Sequence, residues 1–211
     1  MRSIGILILI FHAALSVGHA QSFTPVSDPA AIQKKIAEVS RTTNSIKSDF
    51  VQEKNLSMIS EKVISKGLFY FKKNNKVRLE YTKPFKYLMV INNGKILFKD
   101  EEKSTQMDMH KSKMFQEVNN IIINCVQGTV FNGNDFHVSV SENATQVLLD
   151  MQPVSKNLKE FFKNILVLMD KRDFTALRIT MNEISGDNTI INFTNKEING
   201  SIDDGLFAVS K

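Results

Sequence analysis

Residues 67–98, GLFYFKKNNKVRLEYTKPFKYLMVINNGKILF, decide how this 211-residue chain folds. Val77, Leu79 and Tyr81 alternate with Arg78 and Glu80, the period of two expected of a strand with one buried face. Just upstream, Leu68-Phe69-Tyr70-Phe71 is apolar on both faces, as though one side met a core and the other something greasy. Asn92-Asn93-Gly94 marks a tight hairpin, because Asn and Gly tolerate the positive φ that such turns require. The stretch reads as three or four short antiparallel strands with more apolar surface than one sheet face can hide. A surplus of that kind points to binding of a hydrophobic ligand rather than to catalysis.

Working outward, Asp28-Pro29 has the form of an N-cap followed by a first-turn proline. Ile32, Ile36 and Val39 then fall at helical spacing, which predicts an amphipathic helix over residues 30–43. Strands are expected at 46–53, 62–71, 76–82, 87–92 and 96–99. A second, apolar helix is predicted over 110–126, where Met114, Val118, Ile121, Ile122 and Cys125 recur at helical spacing. Alternation returns in Phe136-Val138-Val140, Val147-Leu149-Met151 and Leu177-Ile179-Met181, with further strands at 165–169, 190–193 and 206–209 and a helical turn near 158–162. About ten antiparallel strands in succession would form a mainly β fold, an incomplete antiparallel barrel or strongly curved sheet covered by α-helices as a lid.

The first twenty residues have the anatomy of an export signal. Arg2 precedes an apolar run over 4–17, and Gly18-His19-Ala20 offers small residues for cleavage after Ala20. The run is shorter than the ~20 residues that span a bilayer. The expected mature chain is a single domain over 21–211. Its formal net charge of +5 falls by one with the leader, whose one charged residue is Arg2. The cations are scattered in pairs such as Lys34-Lys35 and Lys171-Arg172, which lacks the dense basic stripe that nucleic acid needs. Cys125 is the single cysteine, so no internal disulfide can form. Fifteen Phe and nine Met, with no Trp, supply adaptable apolar surface.

Catalytic chemistry has little to build on. Beyond the leader the histidines are His110 and His137, and a secreted enzyme would have to use one of them. Asp100-Glu101-Glu102 and Asp203-Asp204 read as solvated turns and lack the alternating oxygen ligands of a calcium loop. Neither a metal nor a cofactor is expected.

Taken in order, SDFVQEK, GLFYFKK…RLEYTKP, NNGKILF and FTNKEINGSIDDGLFAV resemble the periplasmic outer-membrane lipoprotein carrier family, LolA, over most of the mature chain. Phe50 and Gln52 match the family's F-x-Q step, Tyr81 and Pro84 its Y-x-x-P, and Gly94 its hairpin glycine. The resemblance implies an incomplete β-barrel closed by helices, located in the periplasm. It implies a monomer that takes acylated lipoproteins from an inner-membrane ABC-type exporter and delivers them to an outer-membrane acceptor. Lys73-Asn74 stand where the family often has Arg-Pro, which makes Lys73 the expected lid latch. The apolar chamber would be lined on the sheet side by Phe69, Phe71, Leu79, Tyr81, Leu88 and Val90. On the lid side it would be lined by Met114, Val118, Ile121 and Ile122. A slip of one residue would invert the sheet-side set. The alternative is a carrier on the same fold for another lipid-like cargo, such as a glycolipid, a free acyl chain or a lipidic pigment.

Overall fold

The computed structural model describes residues 22–59, 61–108, 121, 131 and 135–209. The expected leader, His110, Met114, Val118, Ile122 and Cys125 lie outside the described residues.

Helix α1 spans Pro29–Thr42. The Asp28 carboxylate accepts the Ala31 N–H at 3.1 Å, and Pro29 occupies a position whose missing N–H costs nothing. The helix ends where the Thr43 N–H donates to the Val39 carbonyl at 3.0 Å, with Arg41 in the last turn complementing the dipole. Its inner stripe, Ile32 and Ile36, is buried against the sheet.

Twelve strands form that sheet: β1 Thr24–Pro25, β2 Ser45–Leu56, β3 Glu61–Lys72, β4 Lys76–Lys83, β5 Tyr87–Asn92, β6 Lys95–Lys99, β7 Ser104–Asp108, β8 Phe136–Glu142, β9 Gln146–Pro153, β10 Phe162–Asp170, β11 Ala176–Glu183 and β12 Asn188–Ile198. The spatial order is β1-β8-β9-β10-β11-β12-β2-β3-β4-β5-β6-β7, antiparallel throughout and, among the described residues, not closed between β1 and β7. Two meanders, β2 to β7 and β8 to β12, are therefore joined along the β12–β2 seam. Register shifts at Lys66/Gly67, Leu168/Met169 and Thr194/Glu197 break the ladders where a curved sheet must bend. Asn74 and Asn75 at φ 68° and 58°, and Asn93 and Gly94 at 49° and 70°, put paired left-handed residues in the three-residue β3–β4 and two-residue β5–β6 connections.

Gly67 is required by close packing. A Cβ there would lie 2.1 Å from the Glu80 carbonyl oxygen and 2.8 Å from the Phe50 ring. That ring lies against Gly67 and meets Tyr81 edge-on, centroids 5.0 Å apart.

The concave face holds two apolar clusters. One joins α1 to β8–β11 through Ile36, Val147, Leu149, Ile165 and Val167; the other joins β2–β6 through Ile46, Phe50, Phe71, Val77 and Ile96. A third cluster sits on the convex face, where Val90 and Leu97 are covered by Ile202 and Phe207. The strand expected at 206–209 is replaced by a 3-10 turn, Asp204–Phe207, started by the Asp203 carboxylate accepting the Gly205 N–H. Arg78 donates to the Leu206 carbonyl, Asn92 to that of Phe207 and Lys72 to that of Ile202. The same turn is held by Lys72 and Lys76, both ion-paired with Asp204. Part of the surplus apolar surface around β3–β6 is thus hidden by the chain's own closing segment. The edge strands β1 and β7 had no apolar alternation to announce them.

Candidate functional site

Side chains that face one another across the ladders share a face of the sheet. Phe69, Leu79, Met89 and Phe98 form one such row. Gly67, Tyr81 and Tyr87 form the next, and Gln52, Ile191 and Ile179 continue the surface across the seam. These rows line a concave trough with two hollows. The larger, about 360 Å³, lies between the β4–β6 side (Tyr81, Tyr87, Met89, Phe98) and Phe161, Phe162, Met181 and Ile121. That volume falls within the range of roughly 300–1,000 Å³ of ordinary small-ligand pockets. The smaller, about 70 Å³, lies under α1 between Ile36, Val39, Phe69, Phe174 and Phe193. Leu79, Ile179 and Ile191 border both hollows, so three aliphatic side chains partition one trough.

One wall is aromatic. Phe50, Tyr81, Tyr87 and Phe98 follow one another across the sheet with centroids 5.0, 5.9 and 5.9 Å apart, and Phe69 meets Phe193 at 5.4 Å. The Tyr81 hydroxyl donates to Gln52 Oε1 at 3.0 Å. Burial, helped by the neighbouring Tyr87, pushes its pKa up to about 12, so the phenol stays neutral and the wall uncharged. The charged groups in the larger hollow are Lys54 and Glu183, paired at 3.1 Å, with Thr189 Oγ1 donating to Glu183 at 3.5 Å. Chemically the trough can solvate apolar chains and offers a few polar atoms at one end. No grouping of three or more His, Cys, Asp or Glu able to hold a metal occurs among the described residues. His137 is exposed on β8 and lines neither hollow.

The expected lining residues divide. Phe69, Leu79, Tyr81 and Ile121 border the hollows. Phe71 faces the same side but is packed into the core, 1% exposed. Leu88 and Val90 require correction: both lie on the convex face, Val90 buried beneath the closing segment. Leu79 pairs with Met89 and Tyr81 with Tyr87, which turns Tyr87, Met89 and Ile91 inward instead. Met114, Val118 and Ile122 lie outside the described residues. Lys73 donates its Nζ to the Arg41 carbonyl in the last turn of α1 at 2.7 Å, and its backbone N–H to Asn44 O at 2.9 Å. It thus ties the β3–β4 turn to the N-terminal helix. The positive φ of Asn74 is closed to proline, so an Arg-Pro pair would need a differently shaped turn. Met181, Ile191, Phe193, Gln52, Lys54 and Glu183 were not foreseen as lining.

The model of the family described as outer membrane lipoprotein carrier protein LolA matches residues 41–210. The chain is a member of the LolA family. Among solved structures, MucB aligns with a TM-score of 0.51 at 14% identity, over 88% of this chain and 64% of MucB. A LolA superfamily protein from Nitrosomonas europaea aligns at 0.48 and 10% identity, over 84% and 96%. The Mycobacterium tuberculosis lipoprotein LppX aligns at 0.47 and 9%, over 83% and 99%. A search of curated proteins finds no match. Among the described residues of this LolA-family chain, no helix is long and apolar enough to cross a membrane.

Proposed function

We propose that this LolA-family protein is a periplasmic carrier that shields the acyl chains of lipoproteins in its trough and ferries them from the inner to the outer membrane. The supporting observation is the two-hollow apolar trough, walled by Tyr81, Tyr87, Met89 and Phe98 and divided by Leu79, Ile179 and Ile191. Exposing a methylene to water costs about 0.8 kcal/mol, so two or three long chains would cost tens of kcal/mol if moved uncovered. Rotation of Leu79 and its two neighbours would join the hollows and lengthen the site without moving a strand. An ABC-type exporter on one side and an outer-membrane acceptor on the other would supply loading and release.

The Lys54–Glu183 pair and the Gln52–Tyr81 hydrogen bond favour a second reading, another lipid-like cargo whose polar head sits at that end. Mass spectrometry of lipids co-purified with the secreted protein separates the two: a triacylated peptide supports the first, a glycolipid, free acyl chain or pigment the second. Leu79→Glu places a charge at the junction of the hollows and should abolish binding of a fluorescent apolar probe. Unchanged probe binding in a folded Leu79→Glu variant would remove the trough as the cargo site.

A further inference from the structure

One end of the sheet carries a rim of exposed apolar side chains that the trough does not use. The β2–β3 tip presents Met58 and Ile59, 94% and 58% exposed, and the β4–β5 turn presents Phe85, 81% exposed. Ile184, 51% exposed, projects from the β11–β12 turn. These turns face the same end of the sheet. The Ser57 N–H and hydroxyl both donate to Asp187 at 2.9 Å, which clamps the β2–β3 tip to the β11–β12 turn. Lys66, midway along β3, is paired with Lys83 at the end of β4, so the Phe85 turn faces the same end of the sheet, set back by the five residues over which β3 runs on to its tip. The Ile184 N–H donates to the Phe161 carbonyl at 3.0 Å, and Phe161 borders the larger hollow. Tyr87 lies both in that hollow and partly in solvent, so the rim borders the mouth of the trough.

The charge of this rim leans positive. Lys66, Lys83 and Lys86 are exposed beside Phe85. Of the acids nearby, Glu53 is paired with Lys62 and Glu183 with Lys54, Asp187 accepts from Ser57, and Glu61 stands exposed at the start of β3. Bulky apolar tips flanked by free-standing cations suit a surface with anionic heads above a hydrocarbon interior. We infer that the rim formed by Met58, Ile59, Phe85 and Ile184, with Lys66, Lys83 and Lys86, docks the mouth of the trough on an anionic phospholipid bilayer. The apolar tips enter the headgroup region and the lysines sit at phosphate level. The inference is independent of which cargo the trough holds.

Flotation of the purified protein with vesicles tests it. Vesicles of phosphatidylethanolamine and phosphatidylglycerol should bind the protein far more tightly than phosphatidylcholine vesicles, and added salt should weaken that binding. A lysine near an anionic surface is worth roughly fivefold in partitioning, so the Lys66→Gln/Lys83→Gln/Lys86→Gln variant should lose on the order of a hundredfold. Met58→Glu/Phe85→Glu should abolish flotation while leaving the unfolding midpoint and apolar-probe binding in the trough at wild-type values. Equal binding to both vesicle types, or wild-type flotation by either variant, would overturn the inference. So would a rim that instead drives self-association, seen as a rise in mass by light scattering that Met58→Glu/Phe85→Glu removes. Loss of probe binding bears on the cargo reading and loss of flotation on the rim, so either can fail alone.

Discussion

Gly67 shows how a single missing side chain organises the trough wall. The Phe50 ring and the β4 backbone occupy the space a Cβ would need, and the ring in turn holds Tyr81 in its edge-on position. Gly67→Ala should therefore destabilise the fold by about 1–3 kcal/mol, the usual cost of overpacking, read as a lower urea midpoint. Asp170 offers a residue-scale test of a different kind. The Arg172 guanidinium, bonded to both carboxylate oxygens, holds its pKa down to about 2 against opposing burial. A depressed folded pKa stabilises fully above the unfolded carboxylate range, and that stability is lost as pH falls towards 2. Asp170→Asn should lower stability at neutral pH and flatten the acid limb of a stability–pH curve measured by urea unfolding. Which side chains face the trough could be read from sequence in β4 and not in β5, for one reason. In β4 the apolar residues Val77, Leu79 and Tyr81 alternate with charged Arg78 and Glu80, so the inward face was legible. In β5, Tyr87-Leu88-Met89-Val90-Ile91 is apolar at every step, and period two supplies no phase. Only its pairing with β4, Leu79 opposite Met89, settles that Leu88 and Val90 turn outward.

At the scale of elements, the closing 3-10 turn is a cap on the convex face. Its apolar run resembled a short strand in sequence, because such a run carries no signal separating strand from turn. Phe207, with no exposed surface, covers Val90 and Leu97. Phe207→Ala should cost about 3–5 kcal/mol, measured by chemical unfolding, and should increase binding of an apolar dye to the outer face. A matching test concerns α1. Lys73 reaches a carbonyl in the last turn of that helix, where a cation meets both an unpaired acceptor and the negative end of the dipole. Lys73→Met should lower stability by up to about 1 kcal/mol, as expected for an exposed contact, with the loss shrinking at high salt. The helix itself was legible from Asp28, Pro29 and the Ile32–Ile36 spacing, since cap and stripe are both local signals.

The whole molecule is two meanders that meet at one seam. The curved sheet and single apolar concavity could be anticipated from alternation and from the excess of Phe and Met. The seam could not, because nothing in either strand's own pattern names its distant partner. β2, near the start of the described chain, pairs along most of its length with β12, near its close. A chain ending before residue 188 should therefore show no cooperative unfolding transition by circular dichroism, although it keeps eleven of the twelve described strands and loses only the β11–β12 and β12–β2 ladders. That pairing has a bearing on biogenesis. Until the final strand emerges from the machinery that makes or translocates the polypeptide, β2 and β11 are both raw borders, each with unpaired amides beside bare oily side chains. Such borders invite wrong neighbours. The cell must hold this polypeptide back from premature collapse until nearly all of it has been delivered.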